Sequence, residues 1–212
     1  LHRLGPGGGP TLLVFGGIQG DEPGGFSAAS LLVTHYDISK GSVWVVPNLN
    51  FLSIVSNERG LTGDMNRKFA FVAPNDPDYE AVNRVQELIR DPRVDLVLNL
   101  HDGSGFYRHT WEDKLRNPRR WGQCIVIDQE RLDEENGAES RFKDLNGLAE
   151  NVAGRVNQRA LHSLPAHHLK NTHTPYNHRD MAKTLSYFAL CEGKAAFGLE
   201  ASKALVPGPR AY

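Results

Sequence analysis

An α/β fold, with a mixed central β-sheet sandwiched between α-helices, is predicted by three features of the 212-residue chain. Apolar runs of strand length recur, helical patterns fall between several of them, and Gly, Pro and Asn bound the runs. No repeat, long linker or low-complexity tract divides the sequence, so a single domain over residues 1–212 is expected.

The elements follow in order. Thr11 to Phe15 is a β-rich run ending in Gly16-Gly17. A helix is expected from Pro23 or Gly24 to about Tyr36, with Phe26, Leu31, Leu32 and Tyr36 as its apolar stripe. Val43 to Val46 is the next strand, closed by Pro47. Tyr79 to Ile89 reads as a helix with Val82, Val85, Leu88 and Ile89 inward, stopped at Asp91-Pro92 because proline disfavours helix in the residue before it. Val94 to Leu100 is almost wholly apolar, as a central strand covered on both faces should be, and it ends in His101. Gln123 to Ile127 is a strand. Ser140 to about Leu161 is a helix with Leu145, Leu148, Val152 and Val156 buried. Arg179 to Leu190 is the last helix, and Ala195 to Leu199 the last strand, ending in Glu200.

Composition excludes several functions. With 40% apolar residues the chain can bury a core, so it is not a disordered tail. Lys plus Arg number 24 against 25 Asp plus Glu, which argues against nucleic acid or an anionic membrane as main partner. No stretch approaches the roughly 20 apolar residues of a membrane helix, so no membrane insertion is expected. Cys124 and Cys191 share no CxxC spacing and read as buried thiols, a disulfide needing proximity that sequence does not establish.

Four segments carry candidate chemistry, and the polar residues gather where strands end, the edge at which open α/β sheets bind ligands. In Gly16-Gly17-Ile18-Gln19-Gly20-Asp21-Glu22-Pro23, the Gln19 and Glu22 side chains are spaced to meet on one metal ion, or Glu22 merely starts the helix. Phosphate binding is weaker, since no Lys-Ser or Lys-Thr follows and GxGxxG is absent. In the segment from Asn57 to Phe69, Arg59 and Arg67 can present planar forks to a carboxylate or oxyanion, with Asn66 as a neutral donor; otherwise they are solvated loop residues. His101 sits at a strand end before a Gly-rich turn. Glu200 is either an exposed end residue or a base in a partly desolvated cleft.

Taken in order, Gln19-x-x-Glu22, Arg59, Asn66-Arg67, His101 and Glu200 resemble the zinc carboxypeptidases of the M14 family, over residues 12 to 203. That family has His as first zinc ligand where this chain has Gln19. The glutamine, the surrounding glycine-rich segment and Thr172-His173-Thr174-Pro175-Tyr176-Asn177 are similar to the peptidoglycan carboxypeptidases that set cell shape in curved and helical bacteria. The resemblance implies one Zn²⁺ on Gln19, Glu22 and His101, with Glu200 as base, Arg59 on the oxyanion, and Asn66 and Arg67 on the terminal carboxylate. It implies a muropeptide tripeptide, L-Ala-γ-D-Glu-meso-diaminopimelate, as substrate, loss of the terminal diaminopimelate, and a periplasmic location. It also implies a chain cut short at both ends, with further small domains after the catalytic one.

Two alternatives stand beside it. Succinylglutamate desuccinylases and aspartoacylases share a similar Arg and Asp64-Met65-Asn66-Arg67 element but keep His as first ligand. A non-catalytic muropeptide-binding domain would explain the missing His, yet has no reason to keep the base and both carboxylate-binding residues. His162, His167, His168, His173 and His178 read as surface or cleft-lining residues, with His173 or Tyr176 as candidate substrate contacts. Lys114, Arg116, Arg119 and Arg120, with Trp111 and Trp121, read as a solvated loop, or else a rim attracting an acidic muropeptide.

Overall fold

The computed structural model describes residues 1–132, 140–159 and 164–205. Nine strands are present among them: β1 (His2–Gly7), β2 (Thr11–Gly16), β3 (Gly41–Val46), β4 (Leu96–Gly103), β5 (Phe106–Tyr107), β6 (Arg116–Asn117), β7 (Cys124–Ile127), β8 (His168–Asn171) and β9 (Ala195–Ser202). The helices are α1 (Pro23–His35), α2 (Phe51–Ser56), α3 (Tyr79–Arg90), α4 (Leu145–Arg159), α5 (Thr174–Asn177) and α6 (Leu185–Cys191).

Seven strands form one mixed sheet in the order β1-β3-β2-β4-β9-β7-β8, and β5 and β6 pair separately. The inner pairs β2/β3, β2/β4 and β4/β9 are parallel, whereas β1 and β7 run antiparallel to β3 and β9. Successive strand residues point to opposite faces, and this period of two divides the core. Leu13, Phe15, Trp44 and Val97 pack with Val82, Val85 and Ile89 of α3 and Leu185 and Ala189 of α6. Val14, Val45 and Leu100 pack with Ala29 and Leu32 of α1. On that second face Phe197 also meets Ala149 and Ala153 of α4. Both faces are therefore covered, as the nearly continuous apolar runs require.

After β2 the chain turns to β3 on one side, while after β4 it moves to the other. The crevice beyond the C-terminal ends of β2 and β4 is thus a topological switch point, where α/β sheets bind ligands.

Several expectations are corrected. β4 and β9 do not stop at His101 and Glu200; they stay paired through Asp102↔Ala201 to Gly103↔Ser202, so both residues lie inside strands. The apolar stripe of α1 is only partly the expected one: Leu32 packs on the core, but Leu31 and Tyr36 are exposed, Phe26 is half-buried, and Gly25 and Ala29 are the buried residues. The reason is closeness of packing. A Cβ on Gly25 would lie 2.5 Å from the Leu100 carbonyl oxygen, so the helix seats its backbone on β4 at small residues.

The expected helix from Arg179 to Leu190 is broken. Met181–Lys183 is a 3-10 turn, Thr184 is extended, and its hydroxyl caps α6 by accepting from Tyr187 N–H. The Ser140–Leu161 helix begins at Leu145, and residues 160 and 161 lie outside the described set, as do His162 and residues 206–212. No disulfide joins Cys124, which is buried, to Cys191, which is exposed rather than buried as expected.

Candidate active site

The turn after β2 is made by Gly17, whose φ of +71° falls in the left-handed region that glycine adopts without steric strain. It delivers Gln19 and Glu22, both buried, to the end of the sheet. Glu22 occupies the N-cap position of α1 but makes no side-chain cap. Its Oε2 accepts from Asp102 N–H at 3.1 Å and lies 2.8 Å from Nδ1 of His101. The carboxylate serves the crevice rather than the helix.

Gln19 Oε1 lies 2.9 Å from the same Nδ1. Its orientation follows from Asp64, which accepts from Nε2 at 2.9 and 3.0 Å on its two oxygens. Only the NH₂ end of an amide can donate to a carboxylate, so the oxygen must face His101. Asp64 also accepts from Arg59 Nε at 2.9 Å and from Asn66 N–H at 2.9 Å. Arg59 closes the ring by donating from Nη1 to Glu22 Oε1 at 3.1 Å.

Glu200 is in register with His101 on the neighbouring strand, hence on the same face of the sheet. Burial raises its carboxyl to about 7. His101 and Arg59 work against that rise, and Glu22 and Asp102 add to it. Burial opposes the charged form of His101, but the hydrogen bond and charge of Glu22, with Glu200 and Asp64 behind it, outweigh burial and raise its pKa. Asn66 is held by its Oδ1, which accepts Leu185 N–H at 3.0 Å, leaving its amide nitrogen 3.5 Å from His101 Nε2. Arg67 Nη1 donates to the Asn66 carbonyl at 3.0 Å and is partly exposed.

These seven residues line one cleft of about 350 Å³. Its far wall brings Trp121, His178, Asp180 and Lys203, and its depth Val126, Asp128, Thr184, Ser186 and Gly198. Among the described residues of the histidine segment it is His178 that lines the cleft. Tyr176, expected as a contact, is exposed and outside it, and so is His173. Trp121 is the one member of the basic, Trp-flanked stretch in the cleft, and Arg116 is tied to Asp113 at 2.7 Å.

Sequence reasoning missed Asp64 as the group that orients Gln19, and Asp128 in the depth. Neither position has a periodic or motif signal of its own. Asp64 is visible only as part of Asp64-Met65-Asn66-Arg67.

The donor set suits a metal ion. Among the described residues no three His, Cys, Asp or Glu side chains form a metal-holding group. The triad has two such residues and an amide oxygen. One Nδ1 carries at most one hydrogen, yet two oxygens crowd it at 2.8 and 2.9 Å. Tetrahedral zinc ligands at about 2.0–2.2 Å from one ion lie about 3.3–3.6 Å from each other, so a slight opening of these three side chains would admit a cation that satisfies both oxygens, which a single proton cannot.

Residues 6–212 match the family described as the catalytic part of a carboxypeptidase controlling helical cell shape. The chain belongs to that family. Among solved members of similar structure, the tripeptide-bound cell shape determinant Csd4 from Helicobacter pylori is 42% identical over 97% of this chain, with a TM-score of 0.90. The mDAP-bound form of Csd4, described as a D,L-carboxypeptidase, is 43% identical over 98%, with a TM-score of 0.91. In both cases this chain spans about half (50%) of the length of the other chain. A curated relative, N-alpha-acetyl-L-2,4-diaminobutyric acid deacetylase of Halomonas elongata, is 32% identical over 103 residues, 45% of this chain and 29% of that protein.

Proposed function

We propose that the protein is a zinc-dependent carboxypeptidase that removes the terminal meso-diaminopimelate from peptidoglycan tripeptides in the periplasm. The observation that carries this reading is the convergence of Gln19 Oε1 and Glu22 Oε2 on His101 Nδ1 beside Glu200. Membership of the cell-shape family supports it, and so do the tripeptide and mDAP bound by Csd4.

Gln19, Glu22 and His101 would hold the zinc ion, which supplies a water of lowered pKa and polarises the scissile carbonyl. Glu200, opposite His101 on the neighbouring strand, takes the proton of the attacking water and returns it to the leaving nitrogen. Arg59 stabilises the charge that grows on the carbonyl oxygen. Its guanidinium is held at Nε by Asp64 and at Nη1 by Glu22, and its side chain is nearly half exposed towards the cleft. Asn66 and Arg67 bind the terminal carboxylate, and thereby restrict cleavage to the last peptide bond. Asn66 is rigid because Leu185 N–H fixes its oxygen end.

The test is release of free diaminopimelate from the muropeptide tripeptide by zinc-loaded protein, followed by mass spectrometry, with N-succinylglutamate and an N-acetylated diamino acid as competing substrates. Release that disappears in Glu200→Ala supports the carboxypeptidase. Deacylation of the small substrates alone would move the chain to the acyl-amino-acid hydrolases, and tripeptide binding without cleavage would make it a binding domain.

A further inference from the structure

Besides Glu200 the cleft is lined by an acidic residue that the mechanism above leaves unused. Asp128 follows β7, is buried, and lines the cleft on the same sheet face as Val126, Gly198 and Glu200. Thr172 and Thr174 hydroxyls both approach Oδ1. Among the described residues Oδ2 has no hydrogen-bond partner, and no Lys, Arg or His nitrogen lies within salt-bridge distance of the carboxylate.

A buried carboxylate without a countercharge is unfavourable unless something supplies the cation. The surroundings leave room for one. Gly198 has no side chain, and a Cβ built there would meet only Val126 Cβ at 3.6 Å and the Asn99 carbonyl at 3.8 Å. Asn99, in register with Gly198, is fully buried with neither its amide nitrogen nor its oxygen partnered. The floor is polar and incompletely satisfied where an apolar core would be expected.

We propose that Asp128 is the specificity residue of the cleft, its carboxylate receiving the distal ammonium of the terminal diamino acid. The inference rests on the carboxypeptidase reading and names the side-chain chemistry that the site selects.

Distances along the sheet agree. Val126 is opposite Gly198 on antiparallel strands, which places Asp128 about four strand residues below Glu200, roughly 13 Å. The six bonds from the scissile nitrogen to the distal nitrogen of diaminopimelate span roughly 7 Å when extended. A hydrogen bond of about 3 Å at each end brings the total to the same depth. An ammonium there would meet a preformed anion, whereas an uncharged terminal side chain would leave that anion buried and alone.

The test compares two tripeptides on the zinc-loaded chain, one ending in meso-diaminopimelate and one in L-2-aminopimelate, which has the same carbon chain and distal carboxylate but no distal amine. Both kcat/KM and the dissociation constants of the two free amino acids, by calorimetry, are measured for the wild type and Asp128→Asn. The expected wild-type preference for the diamino form is about 10- to 100-fold, the range of a hydrogen bond between charged groups. In Asp128→Asn it collapses to within about threefold. A wild type that treats the two equally, or a variant that keeps the preference, overturns the proposal. Should neither peptide be cleaved, the carboxypeptidase reading fails while the binding ratio still decides the role of Asp128. Asp128→Ser serves if the asparagine variant does not fold, and a wild-type ratio near one is decisive without any variant.

Discussion

Asp64 accepts both hydrogen bonds of the Gln19 amide nitrogen, at 2.9 and 3.0 Å, and so aims the Gln19 oxygen at His101. An amide is a weak ligand that can present either end, and a neighbouring carboxylate removes that freedom. Asp64→Asn removes the charge and lets Gln19 turn. Zinc affinity, measured by chelator competition, should fall about 10- to 100-fold, as when a residue supporting a metal ligand is lost. Unchanged affinity would mean that Gln19 needs no orientation or binds no metal.

Gln19→His replaces a weaker amide oxygen by an imidazole nitrogen, a better partner for zinc. Metal should be held more tightly and leave more slowly in a stopped-flow chelation assay, by about tenfold or more. Equal or weaker retention would contradict Gln19 as a ligand.

Glu200→Gln keeps the shape but cannot accept a proton. Turnover should fall at least about 10²- to 10⁴-fold, the usual contribution of general base catalysis. Zinc content by elemental analysis should stay at the wild-type level, because Glu200 is not in the ligand set. A variant that turns over normally would assign the base elsewhere.

Asp128 predicts a pH dependence of stability. Burial raises its carboxyl to about 6, against the hydrogen bonds of Thr174 and Thr172, while the unfolded chain titrates near the usual 3.8. The folded state therefore binds more protons between these values. Its stability is fully present below about pH 4 and is lost as pH rises through about 6. Two pH units correspond to about 3 kcal/mol. Asp128→Asn should be the more stable form at pH 7, with its advantage in urea unfolding shrinking towards pH 4. An advantage independent of pH would show that Asp128 is not buried as an acid.

Gly198→Val tests the depth of the cleft. Its Cβ meets only ordinary contacts, so the fold should tolerate it. The added methyls would occupy the path to Asp128, so KM for the tripeptide should rise about tenfold or more, with little change in melting temperature. A wild-type KM would place the terminal side chain elsewhere.

Which parts of this were legible in the sequence depends on whether the signal was local. β2, β3, β4, β7 and β9 appear as apolar runs because both sheet faces are covered, and α3 as a stripe of Val82, Val85 and Ile89. β1 was missed: His2–Gly7 has no buried face to leave a pattern. β8 was missed for a related reason, with four half-buried residues. α2 exposes Phe51, Leu52 and Val55, so its apolar residues gave no inward period. The helix expected from Arg179 was broken because Thr184 is extended and caps α6, whose first N–H is taken by Asn66, a partner 119 positions away.

The sequence by itself determined the α/β class, the strands β2, β3, β4, β7 and β9, and the candidate set Gln19, Glu22, Arg59, Asn66, Arg67, His101 and Glu200. Those are consequences of local pattern and of residue type in order. Only the tertiary structure decided that all seven line one cleft, that Asp64 turns the Gln19 amide, and that Asp128 is buried in that cleft beside Thr172 and Thr174. Sheet order and register set these relationships. His101 faces Glu200 because β4 and β9, 99 positions apart at those residues, pair in that register and no other. A one-residue slip would turn either side chain to the opposite face.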